Sequence, residues 1–320
     1  MSEDVTMAMA SPDRHREGLT REEEELLDRQ IRVWGVDTQC AIRDSVVSVV
    51  VLGDDLSFLG RTKAEIDATL RDMNPRCNLI VEVEEGAEGN QKPTERILAA
   101  ELIKNLTLAG IGNLRVSLVS DVSRLQCERS DVAIVFGTNL RETCEATELV
   151  AAKASTVLCS TVRGGCGYAF LRRHERGEAR AGGVALQTAL LDVPAADLPR
   201  RVNKMYGVLR AALAFERSEK AGGRAPGAAD LDAVAELSQS EISLERHRPP
   251  LDLLRNYLET QAEMPAVSAV VGGSLAQEVI KAISGKGELM DNFYFFSAYG
   301  SRDSGEAKVE LIRPKEARAT

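Results

Sequence analysis

Apolar positions along this chain gather in short, nearly unbroken β-branched runs separated by longer stretches of mixed polarity. Ser45 to Leu52 (SVVSVVVL) is the first such run. Too short and too apolar for a surface helix, it predicts a strand buried on both faces, as in a parallel sheet. Thr62 to Met73 has helical character and stops at Asn74-Pro75, and Asn78 to Val83 returns to a strand pattern. After a polar loop at Glu84 to Lys92, Glu95 to Ala109 predicts a helix ended by Gly110, and Leu114 to Val119 a strand closed by Ser120-Asp121. Asp131 to Phe136, Arg141 to Lys153 and Thr156 to Val162 then read as strand, helix and strand, up to the glycine cluster Gly164-Gly165-Cys166-Gly167. This alternation predicts an α/β fold with a Rossmann-like, mainly parallel sheet.

The flanks set the domain organisation. Residues 1–20 read as a disordered tail, and Thr20-Arg21-Glu22-Glu23 offers a capping-box helix start. Residues 21–171 form the first part of the domain. Between 172 and 250 the periodicity weakens, which marks an insertion, and Ser218 to Ala229 (SEKAGGRAPGAA) is a flexible loop by composition. Residues 251–320 return to regular structure: a helix to about Gln261, a small-residue helix from beyond Pro265 to Ser284, and two short strands, Asn292 to Ser297 and Ala307 to Ile312, that suit a hairpin.

Composition narrows the function classes. At 320 residues, 44% hydrophobic and 28% charged, the chain reads as a soluble globular protein. Its longest apolar runs fall short of a membrane span, and its first twenty residues lack the apolar core of a signal peptide. Six cysteines without a CxxC pair and three scattered histidines argue against a zinc site. A net charge of -9 argues against non-specific nucleic-acid binding and is compatible with protein partners.

The chemistry concentrates in Asp28-Arg29-Gln30-Ile31-Arg32-Val33-Trp34-Gly35, which places two arginines beside the only tryptophan, just before the first strand. A guanidinium on a short ordered element is a fixed, always-charged fork suited to phosphate or carboxylate. The alternative is that Arg29 and Arg32 are surface ion-pair residues near the acidic run Glu22 to Glu25, with Trp34 as a core or interface anchor. Asp54, Asp55 and Asp121 each follow a strand, where an acidic side chain can accept a ribose hydroxyl or cap a turn. No GxGxxG follows the first strand, so the usual cradle for phosphates on a helix amino terminus is missing from the sequence. Gly272-Gly273 with Ala276 allows close helix packing, within the chain or across an interface. Cys159 and Cys166 sit near strand ends without a neighbouring histidine and read as inert thiols.

Several of these segments carry a family resemblance. DRQIRVWG at 28–35, AELIKNLTLAGIG at 100–112, EMPAVSAVVGGSLAQEVIKAIS at 263–284 and NFYFF at 292–296 resemble the smaller subunit of the heterodimeric SUMO-activating enzymes, within the ubiquitin-like-protein-activating family. The resemblance covers roughly 21–170 and 250–312, and it implies that family's adenylation fold. It departs in one respect: two helix-strand units, 62–83 and 95–119, stand in exchanged order, so that the sheet must change either its crossover or its strand order.

The resemblance implies a larger catalytic partner subunit that binds ATP and magnesium, adenylates the carboxy-terminal glycine of SUMO and carries the thioester cysteine. This chain, inactive alone, would lend Arg29 in trans to the ATP phosphates, with Arg32 anchoring the segment and no metal or confident cofactor site of its own; Asp121 is a weak candidate. It also implies a nuclear and cytoplasmic location. Two rivals stand beside this reading: an autonomous adenylyltransferase using its own pocket, and a non-catalytic scaffold of the same fold.

Overall fold

A computed structural model describes residues 18–53, 78–83, 97–173, 183–194, 196–290, 292–298 and 308–313. Asp54, Asp55 and the helix expected at 62–73 lie outside them. The chain enters through three short helices, α1 (Arg21–Leu26), α2 (Asp28–Trp34) and α3 (Val36–Asp44). The capping box forms as the sequence predicts. The Thr20 hydroxyl accepts from the Glu23 amide, while the Glu23 carboxylate accepts from the Thr20 amide at 2.7 Å. Gly35, at φ +86°, turns α2 into α3 in a conformation that favours glycine.

Among the described residues eight strands form one sheet: β1 (Val46–Leu52), β2 (Asn78–Val83), β3 (Asn113–Val119), β4 (Ser130–Phe136), β5 (Ala154–Arg163), β6 (Cys166–Arg173), β7 (Phe293–Ser297) and β8 (Lys308–Glu310). Their spatial order is β2-β3-β1-β4-β5-β6-β7-β8. β2, β3, β1, β4 and β5 run parallel, and β6, β7 and β8 add antiparallel strands at one side. The middle of β1 shows why its run is nearly all apolar: Val49 lies between Val116 and Ile134, with helices over both faces.

Alternation along β1 sorts the core into two layers. Val47, Val49 and Val51 face α4 (Ile97–Leu108) and α9 (Pro265–Ser284), burying Leu98, Leu102, Leu106, Val271 and Leu275. Val50 and Leu52 face α5 (Leu140–Ala151) and α6 (Lys204–Glu216), burying Cys144, Val150, Leu209 and Leu213. Each fully buried leucine or valine of this kind contributes about 1.5–3 kcal/mol. Gly272 of α9 lets that helix press on α4: an added Cβ would lie 3.3 Å from both Glu101 Cβ and the Leu102 amide nitrogen. The close packing anticipated for Gly272-Gly273 is therefore made within the chain at Gly272, whereas Gly273 has open space beside it. By length and composition α9 could cross a membrane, but here it packs Val267, Val271, Leu275 and Val279 beneath the sheet.

The exchanged units resolve into a changed strand order. A doubly wound sheet usually runs 3-2-1-4; here the second strand takes the edge and the third lies beside β1, giving 2-3-1-4. The consequence is chirality. β2-α4-β3 and β4-α5-β5 both step one strand in the same direction between parallel neighbours, yet α4 and α5 lie on opposite faces. The two crossovers are thus of opposite hand, and one departs from the right-handed rule obeyed in about 98% of cases. β4-α5-β5 keeps the usual order, so the departure falls on the rearranged β2-α4-β3.

Two further differences from the sequence reading concern the middle of the chain. The glycine cluster does not end the sheet: Gly164, at φ +53°, turns β5 back into the antiparallel β6, which contains Cys166 and Gly167. The weakly patterned segment 172–250 supplies α6 and α7 (Leu231–Glu241), and α8 (Leu251–Glu259) follows it. These helices join α5 in the core layer on one face. The Gly/Ala-rich stretch at 218–229 is tied down by the Asn139 side-chain amide on the Gly223 carbonyl at 2.7 Å and by Arg163 Nη1 on the Pro226 carbonyl at 3.2 Å.

Candidate functional site

Helix α2 is braced from three directions. Gln30 Nε2 donates to the Leu108 carbonyl at 3.1 Å, the Trp34 indole donates to Gln39 Oε1 at 2.7 Å, and Lys286 Nζ donates to the Trp34 carbonyl. Gln39 is fully buried and passes the connection on, donating from Nε2 to the Ala109 carbonyl at 2.9 Å. Gly110 makes room for it: at φ +87°, an added Cβ would stand 2.5 Å from Gln39 Nε2. Trp34 thus serves as an anchor, half-buried against the α4/α9 core, rather than as an open stacking platform.

The two arginines of this helix differ sharply. Arg32 is engaged with Asp28 one turn away, with Nη2 to Oδ2 and Nε to Oδ1 both at 2.9 Å. That satisfies the ion-pair reading for Arg32. Arg29 is exposed and makes no ion pair or hydrogen bond among the described residues. It stands on the same side of α2 as Val33, which is 77% exposed, and the adjoining helices α1 and α3 carry Leu26 and Val36, which are 54% and 42% exposed. An always-charged fork on a braced helix, flanked by exposed aliphatic side chains, is chemically suited to an anion supplied from outside the chain.

At the carboxyl end of β4, one of the strand ends where doubly wound folds place their ligands, the amino terminus of α5 is occupied from within. At the start of α5 the Asn139 side chain accepts from the Glu142 amide at 3.0 Å, and the Glu216 carboxylate accepts from the Arg141 amide at 2.7 Å. Glu216 is buried at the end of α6, and burial pushes its carboxyl up to about 7 against the opposing pull of the Arg141 and Leu140 amides and of Arg163. Arg163 is itself buried, with its guanidinium carbon 5.1 Å from the centre of the Tyr257 ring. A carboxylate therefore already fills the anion position at this helix amino terminus. Sequence gave no sign of it, because Glu216 reaches α5 only through tertiary packing.

Asp121, at the end of β3, accepts from the Ser123 amide at 2.8 Å and caps the turn Val122–Arg124. The described residues hold no cluster of three or more histidine, cysteine or acidic side chains that could bind a metal ion. The α5 amides and Asp121 are thus committed within the chain, while residues 54–77, which follow β1, lie outside the described residues. Two of the cysteines are unsuited to thioester chemistry. Cys159 and Cys166 are buried, and burial raises both thiols, Cys159 to about 12.

Comparison with curated proteins finds relatives that align over at least 90% of the chain. The chain is 28% identical to SUMO-activating enzyme subunit 1B-1 of Arabidopsis thaliana, covering 93% of this chain and 98% of that protein. It is 29% identical to subunit 1A of the same plant over 92% and 97%, and 25% identical to SUMO-activating enzyme subunit 1 of Danio rerio over 90% and 94%. Among solved structures, E. coli MccB with selenomethionine MccA aligns at 13% identity and a TM-score of 0.42, covering 92% of this chain and 73% of that one. No protein-family profile matches the chain.

Proposed function

We propose that this chain, which belongs to the family of SUMO-activating enzyme subunit 1, is the smaller half of a heterodimer that adenylates SUMO, and that Arg29 works in the larger subunit's active site. The observation that carries this reading is the state of Arg29: exposed and unpaired among the described residues on a helix braced at Leu108, Gln39 and Lys286. Exposed Leu26, Val33 and Val36 around it supply the apolar surface on which a partner would close. The α5 amides and Asp121 support placing ATP and magnesium in the partner, since these groups are committed within this chain.

In this reading Arg29 binds and orients; it moves no proton. Its guanidinium would lie against the terminal phosphates and offset the charge that accumulates on departing pyrophosphate as the SUMO carboxylate attacks the α-phosphorus. Water is excluded from the contact by Leu26, Val33 and Val36, which strengthens the electrostatic term. Arg32 holds Asp28 and thereby the first turn of the helix. The work would take place in the nucleus and cytoplasm.

The test is pyrophosphate exchange into ATP by the assembled heterodimer with SUMO, native chain against Arg29→Ala. A loss of roughly 10²–10³-fold is expected, the scale of removing one preorganised charge-stabilising donor. Undiminished exchange with the dimer intact would leave a scaffold role, and exchange by this chain alone would point to an autonomous enzyme.

A further inference from the structure

The chain carries an excess of acidic residues, and several of its cations are neutralised locally. Arg21 pairs with Glu25, Arg32 with Asp28, Arg115 with Glu128, Arg224 with Asp230 and Arg255 with Glu259. At one corner, cations without an ion pair among the described residues come together. Where the segment before α6 meets the turn Glu245–His247, the fold assembles Arg200, Lys204, Arg246 and Arg248 from sequence positions more than forty residues apart. Lys204 Nζ draws them together by donating to the carbonyls of Arg246 at 2.7 Å and Arg248 at 3.2 Å.

None of these four cations is ion-paired among the described residues. Arg248 spends its donors on the carbonyls of Ile242 and Gln239, near the end of α7, and Arg246 donates from Nε to His247 Nε2 at 3.2 Å. His247 reports the local field: burial, then the charges of Arg246 and Lys204, lower its tendency to protonate. Glu310 is turned inward, where both of its oxygens accept from the Asn203 amide. Arg200 and Arg246 are exposed, with guanidinium forks open to solvent.

We infer that the corner formed by Arg200, Lys204, Arg246 and Arg248 is a docking surface for a short acidic segment of a protein partner. Charge complementarity identifies the occupant: two exposed guanidinium forks beside a fixed ammonium suit successive carboxylates, each of which can be gripped bidentately. The size of the corner favours a short segment. On a chain of net charge -9, a long polyanion such as nucleic acid meets repulsion beyond the patch, whereas a short peptide stays within the Debye length of about 8 Å at physiological salt. The corner also lies apart from the Arg29 surface. It opens at the start of α6, which covers the face of the sheet opposite to the one on which Trp34 packs.

The experiment is fluorescence anisotropy of a labelled glutamate-rich peptide against the full chain. Single-stranded DNA of equal charge is a parallel probe, and the double reversal Arg200→Glu/Arg246→Glu is the variant. Peptide binding that falls by roughly tenfold or more in the double variant, and also weakens as salt rises, is the expected result. No binding to the native chain, equal binding to both chains, or tighter binding of the DNA would each overturn the inference. Arg200→Gln/Arg246→Gln replaces the reversal if that variant fails to fold, and Arg29→Ala is expected to bind the peptide as the native chain does.

Discussion

The Trp34 indole nitrogen stands 2.7 Å from Gln39 Oε1, and of the three bonds that brace the helix bearing Arg29 this is the one made to a fully buried side chain. Gln39 is fully buried, so its carbonyl oxygen has no water to turn to if the indole is removed. Trp34→Phe is therefore expected to destabilise the chain by about 1–3 kcal/mol, the cost of a buried acceptor left unsatisfied, beyond any loss of packing. Urea unfolding measures it. A change below about 0.5 kcal/mol would show that the bond does not brace the helix.

The i,i+4 relation between Asp28 and Arg32 separates the two arginines experimentally. Their pairing is exposed, and such pairs contribute about 0.3–0.5 kcal/mol. Arg32→Ala should therefore lower stability only slightly and leave pyrophosphate exchange within a few-fold of native, while Arg29→Ala should leave stability unchanged and depress exchange. If the two variants lose exchange equally, the segment acts through its fold and not through the Arg29 charge.

Glu216 gives the chain a pH-dependent stability whose sign follows from its burial. Its carboxyl is raised from 4.5 to about 7 in the folded state, so between these values the folded chain holds a proton that the unfolded chain has released. The corresponding stability is fully present below pH 4.5 and is lost as pH rises through about 7. The magnitude is of order 3 kcal/mol, from about 1.4 kcal/mol for each unit of the shift. Glu216→Gln keeps an acceptor for the Arg141 amide without the charge. Unfolding free energies of the two chains at pH 5 and pH 8 are expected to diverge at the higher value, with the glutamine chain the more stable. Parallel pH profiles would remove Glu216 as the cause.

Much of the sheet is legible in the sequence because buried parallel strands are written as β-branched runs: β1, β2, β3 and β4 fall within a residue of their expected limits. β6 is not legible, since Gly164-Gly165-Cys166-Gly167 reads as a terminator. Gly167 is needed inside the strand, where a Cβ would meet Val271 of α9 at 2.9 Å. α6 escapes for another reason. From Met205 to Leu213 it is buried on every side, so it shows no polar face and hence no amphipathic period. At the candidate site, the spacing of Asp28 and Arg32 could have distinguished the paired arginine from Arg29. Neither the contact of Glu216 with the start of α5 nor the basic corner could have been read, because each joins segments that only the fold brings together.

The exchanged units make the last prediction. Moving residues 92–120 to follow Gly53, with 54–91 placed after them, sends β1 through six residues, Gly53 and 92–96, into α4 and then β3. The neighbours of every described strand can stay as they are, while the β2-α4-β3 crossover of unfavourable hand disappears. A right-twisted strand feeding a right-handed helix packs back on the sheet with less strain in that order. The transposed chain should therefore melt higher, by about 2–4 °C for each kcal/mol gained in a chain of this class, with the same far-ultraviolet circular dichroism. A lower melting temperature would mean that the native crossover is compensated by contacts which the transposition breaks. Hydrogen exchange at β2 and β3 in the two chains would then show where those contacts lie.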